Sequence, residues 1–102
     1  MGRDAEVARR THGGHVATVF IPTQWRDLTA DVESVEIEGA TLREIARGLE
    51  ARFPGIAERL GDDGGIAAGV AVSIDGAIAS RGMLAPVGPQ SEIHFLPAIG
   101  GG

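Results

Sequence analysis

The sequence predicts an α+β domain in which a mixed sheet of four to five strands packs on one main helix. Several short segments alternate apolar and polar residues, which is the period of a half-buried strand. One longer segment repeats its apolar residues every three or four positions, which is the period of a helix. Because a helix and a sheet each bury an apolar face against the other, these patterns predict two packed layers.

The first two predicted strands span residues 15–21 and 32–38. Both end at a residue unsuited to a strand interior, Pro22 and Gly39. In the first strand, alternation gives two faces, with Ala17, Val19 and Ile21 on one and Val16, Thr18 and Phe20 on the other. In the second, valine and isoleucine alternate with glutamates, which predicts one buried and one solvated face.

The main helix is predicted to begin after Thr41 and to end before Pro54. Thr41 and Glu44 have the spacing of a capping box, in which both side chains accept hydrogen bonds from backbone amides at the helix start. The apolar stripe of this helix consists of Leu42, Ile45, Ala46, Leu49 and Phe53. Proline cannot continue a helix, so residues 56–60 are predicted to form a separate short turn.

The second half of the chain predicts a hairpin and a last strand. Residues 70–74 form the third strand, and the Asp75-Gly76 pair that follows is a strong signal for a tight turn. Residues 77–79 then form a short return strand, and residues 92–96 form the last strand.

The remaining segments are predicted to lack regular structure. Residues 1–14 are interpreted as a flexible N-terminal arm, and residues 62–65 as a polar loop whose two aspartates are solvated rather than metal-binding. Residues 81–90 contain glycines, prolines, Met83, Leu84 and Val87, which predicts a packed loop.

The element order is strand, strand, helix, strand, short strand, strand. An opening hairpin, a helical crossover and a final strand that returns beside the first describe a β-grasp, or ubiquitin-like, sheet. The predicted domain spans residues 15–96, and residues 97–102 form a flexible glycine tail.

Composition argues against several classes of function. The formal net charge of −5 disfavours nucleic acid or an anionic membrane as partner. The chain has no cysteine, which excludes disulfides and thiolate chemistry, and no lysine, which excludes Schiff bases. It has no apolar run of transmembrane length and no hydrophobic signal region, so we expect a cytoplasmic protein.

The residues also predict no conventional active site. There is no Ser-His-Asp set, phosphate-binding loop or dinucleotide fingerprint. His12 and His15 lie in a glycine-flanked stretch, where we expect no metal site. His94 should point away from the face of Ile93 and Phe95, either as a solvated side chain or as a partner contact. Core packing is predicted for the aromatic residues, which are Phe20, Trp25, Phe53 and Phe95.

The C-terminal tail is the exception to this sparse chemistry. It consists of Pro97, Ala98, Ile99, Gly100, Gly101 and Gly102. Glycines lack Cβ and can enter a narrow channel. Six extended residues span about 20 Å at about 3.3–3.6 Å each, enough to reach a partner's active site. We therefore predict that the reactive group is the carboxylate of Gly102.

These residues resemble the ThiS/MoaD family of ubiquitin-like sulfur carriers, and most closely its actinobacterial members that supply sulfur for cysteine biosynthesis. The most specific segment is residues 96–102 (LPAIGGG), similar to the family's apolar strand end, proline, small residues and terminal Gly-Gly. Residues 21–29 (IPTQWRDLT), 53–56 (FPGI) and 74–76 (IDG) are also similar to the cysteine-type carriers. The resemblance covers about residues 16–102 and leaves out the N-terminal arm.

The resemblance implies a non-catalytic carrier that binds no cofactor itself. An E1-like adenylyltransferase/sulfurtransferase would use ATP to adenylate Gly102, and sulfur would displace AMP to leave a thiocarboxylate. A cysteine synthase-like enzyme would accept the sulfur. In one alternative the chain is the small subunit of molybdopterin synthase, and the large subunit of that enzyme is its partner. In another it supplies sulfur for thiamin or a specialised sulfur metabolite. Two rival classes remain, a ubiquitin-like protein modifier and a plain interaction domain.

Alternation also predicts a partner-binding surface on the sheet face away from the helix. If the isoleucine and phenylalanine of the last strand face inward, Thr18, Phe20, His94 and Leu96 face outward. Phe20 and Leu96 would then form an exposed apolar patch, which commonly marks a binding surface.

Overall fold

The structure, a computed structural model, describes residues 15–62 and 65–97. In chain order its elements are β1 (Val16–Phe20), a 3₁₀ helix (Thr23–Leu28), β2 (Ser34–Glu38), α1 (Leu42–Arg52), α2 (Ile56–Leu60), β3 (Gly61–Asp62), β4 (Gly65–Ile66), β5 (Val70–Ile74), β6 (Ala77–Ile78), a second 3₁₀ helix (Gly82–Leu84) and β7 (Glu92–Pro97). The predicted N-terminal arm and residues 98–102 of the predicted tail lie outside the described residues. No helix within the described ranges is long and apolar enough to cross a bilayer.

The main sheet has five strands in the order β2-β1-β7-β5-β6. β1 and β2 form an antiparallel hairpin, and β7 lies parallel to β1 with Val19 opposite Ile93. β5 pairs antiparallel with both β7 and β6. The return of the last strand beside the first confirms the predicted β-grasp topology.

The main helix begins with the predicted capping residues. Thr41 Oγ1 accepts a hydrogen bond from the Glu44 amide at 3.3 Å. Glu44 Oε1 accepts in return from the amide of Ala40 at 2.7 Å, one residue before the expected partner. These two bonds satisfy amides that have no partner within the helix.

The core lies between the sheet and the two α-helices. Four of the five residues of the predicted α1 stripe are buried, and Phe53 is half-buried at the end of the helix. On the sheet side the inward residues of β1 and β2 are buried as predicted, together with Val72 of β5. Trp25 packs against Phe95 with ring centroids 5.3 Å apart, so these two aromatic residues join the core as expected. Phe20 is half-buried on the opposite face and does not join the core, so the core packing predicted for it is wrong.

Residues 61–66 differ from the predicted polar loop. Gly61 pairs with Ile66 and Asp62 pairs with Gly65, so β3 and β4 form a small antiparallel ladder. Gly61 has φ 151°, and a Cβ at this position would collide with the carbonyl oxygen of Gly65. The close approach of two backbones at glycine permits this pairing, which a composition typical of loops does not reveal.

Two short 3₁₀ helices, Thr23–Leu28 and Gly82–Leu84, were not predicted from the sequence. The first buries Trp25, which packs against Phe95 of β7. In the second, Met83 is buried but the neighbouring Leu84 is 65% exposed, so the segment is only partly packed.

β7 extends one residue beyond the predicted end at Leu96. Pro97 is its last residue and lies opposite Val70. Proline is tolerated there because it ends the strand. The residue predicted as the base of the tail is therefore part of the sheet.

Candidate interaction surface

The sheet face opposite the helices, here called the outer face, carries a row of side chains that crosses all five strands. Strand register places one residue of each strand in this row, in the order Ser34, Phe20, His94, Ser73 and Ile78. The inward neighbours of the first four residues are buried core residues, so period-2 alternation directs the row outward.

The centre of the row is a stacked pair of rings. Phe20 and His94 lie with ring centroids 4.3 Å apart and an interplanar angle of 5°. Cross-strand pairing brings the two rings together, because they are register partners in β1 and β7. The stack covers part of each ring and leaves both side chains half-buried.

Two exposed aliphatic side chains lie on the same face as this stack, and the four residues Phe20, Ile78, His94 and Leu96 are here called the apolar patch. Ser73 separates Ile78 from His94 in the row. Leu96 is 48% exposed and lies opposite Ala71 in β5. Ile78 is 60% exposed at the sheet edge. The outward placement predicted for Thr18, Phe20, His94 and Leu96 is confirmed. Ile78 was not predicted on this face, although alternation continued through the Asp75-Gly76 turn would have identified it.

The patch adjoins the predicted tail. Leu96 and Pro97 are the last two residues of β7, so the chain leaves the sheet beside the patch. The other predicted tail residues are Ala98, Ile99, Gly100, Gly101 and Gly102, and they lie outside the described residues.

The start of β7 is held by the carboxylate of Asp75. It accepts hydrogen bonds from the Glu92 amide at 2.8 Å and from Ser91 Oγ at 2.7 Å. The Glu92 amide, followed by the Ser91 hydroxyl, holds the pKa of Asp75 below its ordinary value. Ser91 Oγ also accepts from the Gly88 amide at 2.9 Å, so the loop before β7 belongs to the same network.

The helical side has its own open concavity of about 230 Å³, lined by Arg43, Ala46, Arg47, Glu50, Ala57, Gly61 and Met83. The one carboxylate in its lining, that of Glu50, is already hydrogen-bonded within the protein. It accepts from the amides of Gly55 and Ala57 at 3.0–3.1 Å. These bonds, chiefly the one from Gly55, hold the pKa of Glu50 below its ordinary value. Glu50 is therefore a helix cap and not a base aimed into the concavity.

The histidines do not form a metal site with other described residues. His15 Nδ1 lies 2.9 Å from the carbonyl oxygen of Val87, a distance at which it donates a hydrogen bond. Within residues 15–62 and 65–97 no group of three or more side chains is arranged to bind a metal ion. His12 lies outside the described residues.

Comparison with known protein families assigns this chain to a family. The family model of ThiS matches residues 19–102, from within β1 to the last glycine. This chain belongs to the ThiS family. The ThiS-family chain is also 32% identical over 90 residues to the sulfur carrier protein CysO of Mycobacterium tuberculosis H37Rv, covering 83% of this chain and 97% of that protein.

Solved structures agree with this assignment. A chain of the Amycolatopsis orientalis BexX/CysO complex superposes with a TM-score of 0.77 at 34% identity, covering 84% of this chain and 99% of that one. Mycobacterium tuberculosis CysO gives 0.76 at 32% identity, covering 81% and 99%. Small archaeal modifier protein 1 of Methanosarcina acetivorans gives 0.71 at 17% identity, covering 85% and 96%, and shows the shared fold alone.

Proposed function

We propose that this ThiS-family chain is a sulfur carrier whose C-terminal Gly102 is converted to a thiocarboxylate. The observation that carries the proposal is the 32% identity to sulfur carrier proteins named CysO, over nearly their whole length. Cysteine biosynthesis is the proposed destination of the sulfur. The sulfur acceptor is then a cysteine synthase-like enzyme.

The chemistry needs an external activating enzyme. An oxygen of the Gly102 carboxylate attacks the α-phosphorus of ATP, pyrophosphate leaves, and an acyl adenylate forms. Hydrosulfide supplied by an E1-like enzyme then attacks the acyl carbon and forms a C–S bond. The acyl C–O bond to AMP breaks, AMP leaves with its electron pair, and loss of the sulfur-bound proton gives the thiocarboxylate. A free carboxylate is a poor electrophile and AMP is a good leaving group, so adenylation makes the exchange possible. The described residues contribute recognition to this reaction and no acid or base.

In this proposal the outer face binds the activating enzyme. Phe20, His94 and Leu96 were predicted as the partner-binding surface, and Ile78 lies in the same patch. Exposed apolar clusters of this kind are common at protein interfaces. A related CysO has been solved in complex with BexX, which supports a protein partner for this chain.

Intact mass measurement with a thiol alkylator tests the proposal directly. The chain has no cysteine, so a thiocarboxylate is the group expected to react readily. We expect protein from its native host to carry the alkyl group on its C-terminal peptide. Deletion of Gly101 and Gly102 should abolish this alkylation and leave the thermal unfolding midpoint unchanged.

Two results would contradict the proposal. Equal alkylation of the truncated chain would place the reactive group elsewhere. Unmodified full-length chain, recovered from cells with an active sulfur pathway, would favour one of the rival classes. Recovery of protein conjugates with Gly102 in an isopeptide bond would identify a ubiquitin-like modifier.

A further inference from the structure

The outer face has two chemically different ends. The apolar patch lies at the end from which the tail leaves. Toward the start of β7, register places Thr18 of β1 between Glu36 of β2 and Glu92 of β7. Glu38 lies beyond them on β2, opposite Val16. All three glutamates are exposed, and together they define the acidic end of the face.

The charge of the acidic end is uncompensated among the described residues. No hydrogen bond or ion pair joins these three carboxylates to another side chain in residues 15–62 and 65–97, where the ion pair found is Arg59–Asp27. The five strands of the sheet contain no arginine, and the chain contains no lysine. The face therefore presents negative charge beside an apolar surface.

Protection of a sheet edge explains only part of this pattern. Charged residues on an edge strand prevent pairing with other chains, and β2 is an edge strand. Glu92, however, lies in β7, between β1 and β5 in the middle of the sheet. Glu92 lies two strands away from Glu36, with Thr18 of β1 between them. Edge protection therefore does not account for Glu92.

The acidic end is also concave. Val16, Thr18, Glu36, Glu38 and Gln90 line an open depression in the outer face. Two of the three glutamates, Glu36 and Glu38, line this space, which a long cationic side chain of another protein can enter. Arginine suits such a site because its guanidinium forms paired hydrogen bonds with carboxylates.

We propose that the outer face docks a protein partner with two matching regions, an apolar contact for the patch and basic side chains for the acidic end. The inference rests on the proposed function, in which this partner is the E1-like enzyme that receives the tail. Leu96 and Glu92 are four residues apart along β7, about 13 Å at about 3.3 Å per residue. In the docked complex, the partner's apolar contact therefore lies near the entrance of its tail channel. Its basic residues lie about 13 Å farther from that entrance. The acidic end sets the orientation in which the tail enters the channel.

The test neutralises the acidic end without changing its shape. The variant E36Q/E38Q/E92Q is compared with the unmodified chain in ATP-dependent loading by the purified activating enzyme. Because rim charges act mainly on association, we expect kcat/KM to fall about tenfold at low ionic strength with kcat unchanged. The difference should largely disappear at about 0.5 M salt, where charges are screened. The control E58Q changes an exposed glutamate of α2 and should behave like the unmodified chain.

Three outcomes would overturn the inference. Loading of the triple variant with unchanged kcat/KM and salt dependence would show that the acidic end does not meet the partner, while loading of the unmodified chain would leave the proposed function intact.

The N-terminal arm is another candidate occupant, since it carries Arg3, Arg9 and Arg10 and joins β1 beside Glu38. If the arm is the occupant, deleting residues 1–14 will raise loading and remove the effect of the triple variant. If the unmodified chain is never loaded, the proposed function fails and the inference fails with it.

Discussion

Asp75 illustrates how one side chain links distant parts of this fold. With φ 54° it forms the β5–β6 turn together with Gly76, whose φ is 88°, and local sequence was sufficient to predict that turn. Its carboxylate also binds Ser91 and Glu92, which are 16 and 17 positions away. No local pattern predicts this second role, because the partners meet only when β5 and β7 pair.

The substitution Asp75→Asn tests the carboxylate separately from the turn, because asparagine also tolerates positive φ. We expect the variant to unfold at lower denaturant concentration at pH 7. The depressed pKa of Asp75 means that its stabilisation is present above the unfolded-state pKa and is lost as pH falls through the folded-state pKa.

The stability difference between wild type and Asp75→Asn should therefore shrink between neutral pH and about pH 3. Chemical denaturation at both pH values measures it. A difference that is constant across this range would show that the ionised carboxylate contributes nothing specific.

The packing of α1 on the sheet depends on a glycine within the helix. Gly48 lies against Ile37 of β2, and a Cβ at position 48 would come within 2.6 Å of Ile37 Cγ2. Glycine ordinarily weakens a helix, so its presence here has a tertiary reason. It lets the helix backbone approach the edge strand closely.

We predict that Gly48→Ala destabilises the domain by about 1 kcal/mol. Overpacking typically costs about 1–3 kcal/mol, offset by the roughly 1 kcal/mol that alanine gains over glycine in a helix. The control Ala51→Gly, at an exposed position of the same helix, should lose about 1 kcal/mol from helix propensity alone. Denaturant midpoints measure both variants, and a more stable Gly48→Ala chain would contradict the packing argument.

For the molecule as a whole, sheet topology connects recognition to delivery. β7 carries His94 and Leu96 into the apolar patch and ends at Pro97, where the tail begins. A partner that binds the patch therefore holds the base of the tail. This arrangement separates the two tasks proposed for the chain, since the folded face is recognised and Gly102 reacts.

Leu96→Asp tests this connection. Leu96 is 48% exposed, so we expect the domain to stay folded while kcat/KM for loading falls roughly tenfold or more, as expected when an interface anchor is lost. Leu84→Asp is the matched control, because Leu84 is 65% exposed and belongs to the second 3₁₀ helix, away from the outer face. Equal loading of the two variants would remove the patch from the interface, and unfolding of Leu96→Asp would show that Leu96 is a core residue.

Local patterns in the chain were enough to predict the strands with alternating residues, the capped helix with its apolar stripe, the tight turn at Asp75 and the face on which Phe20, His94 and Leu96 lie. These features depend on the period-2 and 3.6-residue repeats and on the turn chemistry of neighbouring residues. The resemblance at the glycine tail supplied the family, which the comparison then confirmed.

The side-chain contacts across the sheet are visible only in the folded structure. The Phe20–His94 stack, the position of Ile78 in the patch and the row that joins Glu36 to Glu92 all depend on strand order and register. The β3–β4 ladder depends likewise on close backbone approach at Gly61. Residues far apart in the chain acquire these contacts only when the strands pair, and no periodicity within one segment specifies the register of another.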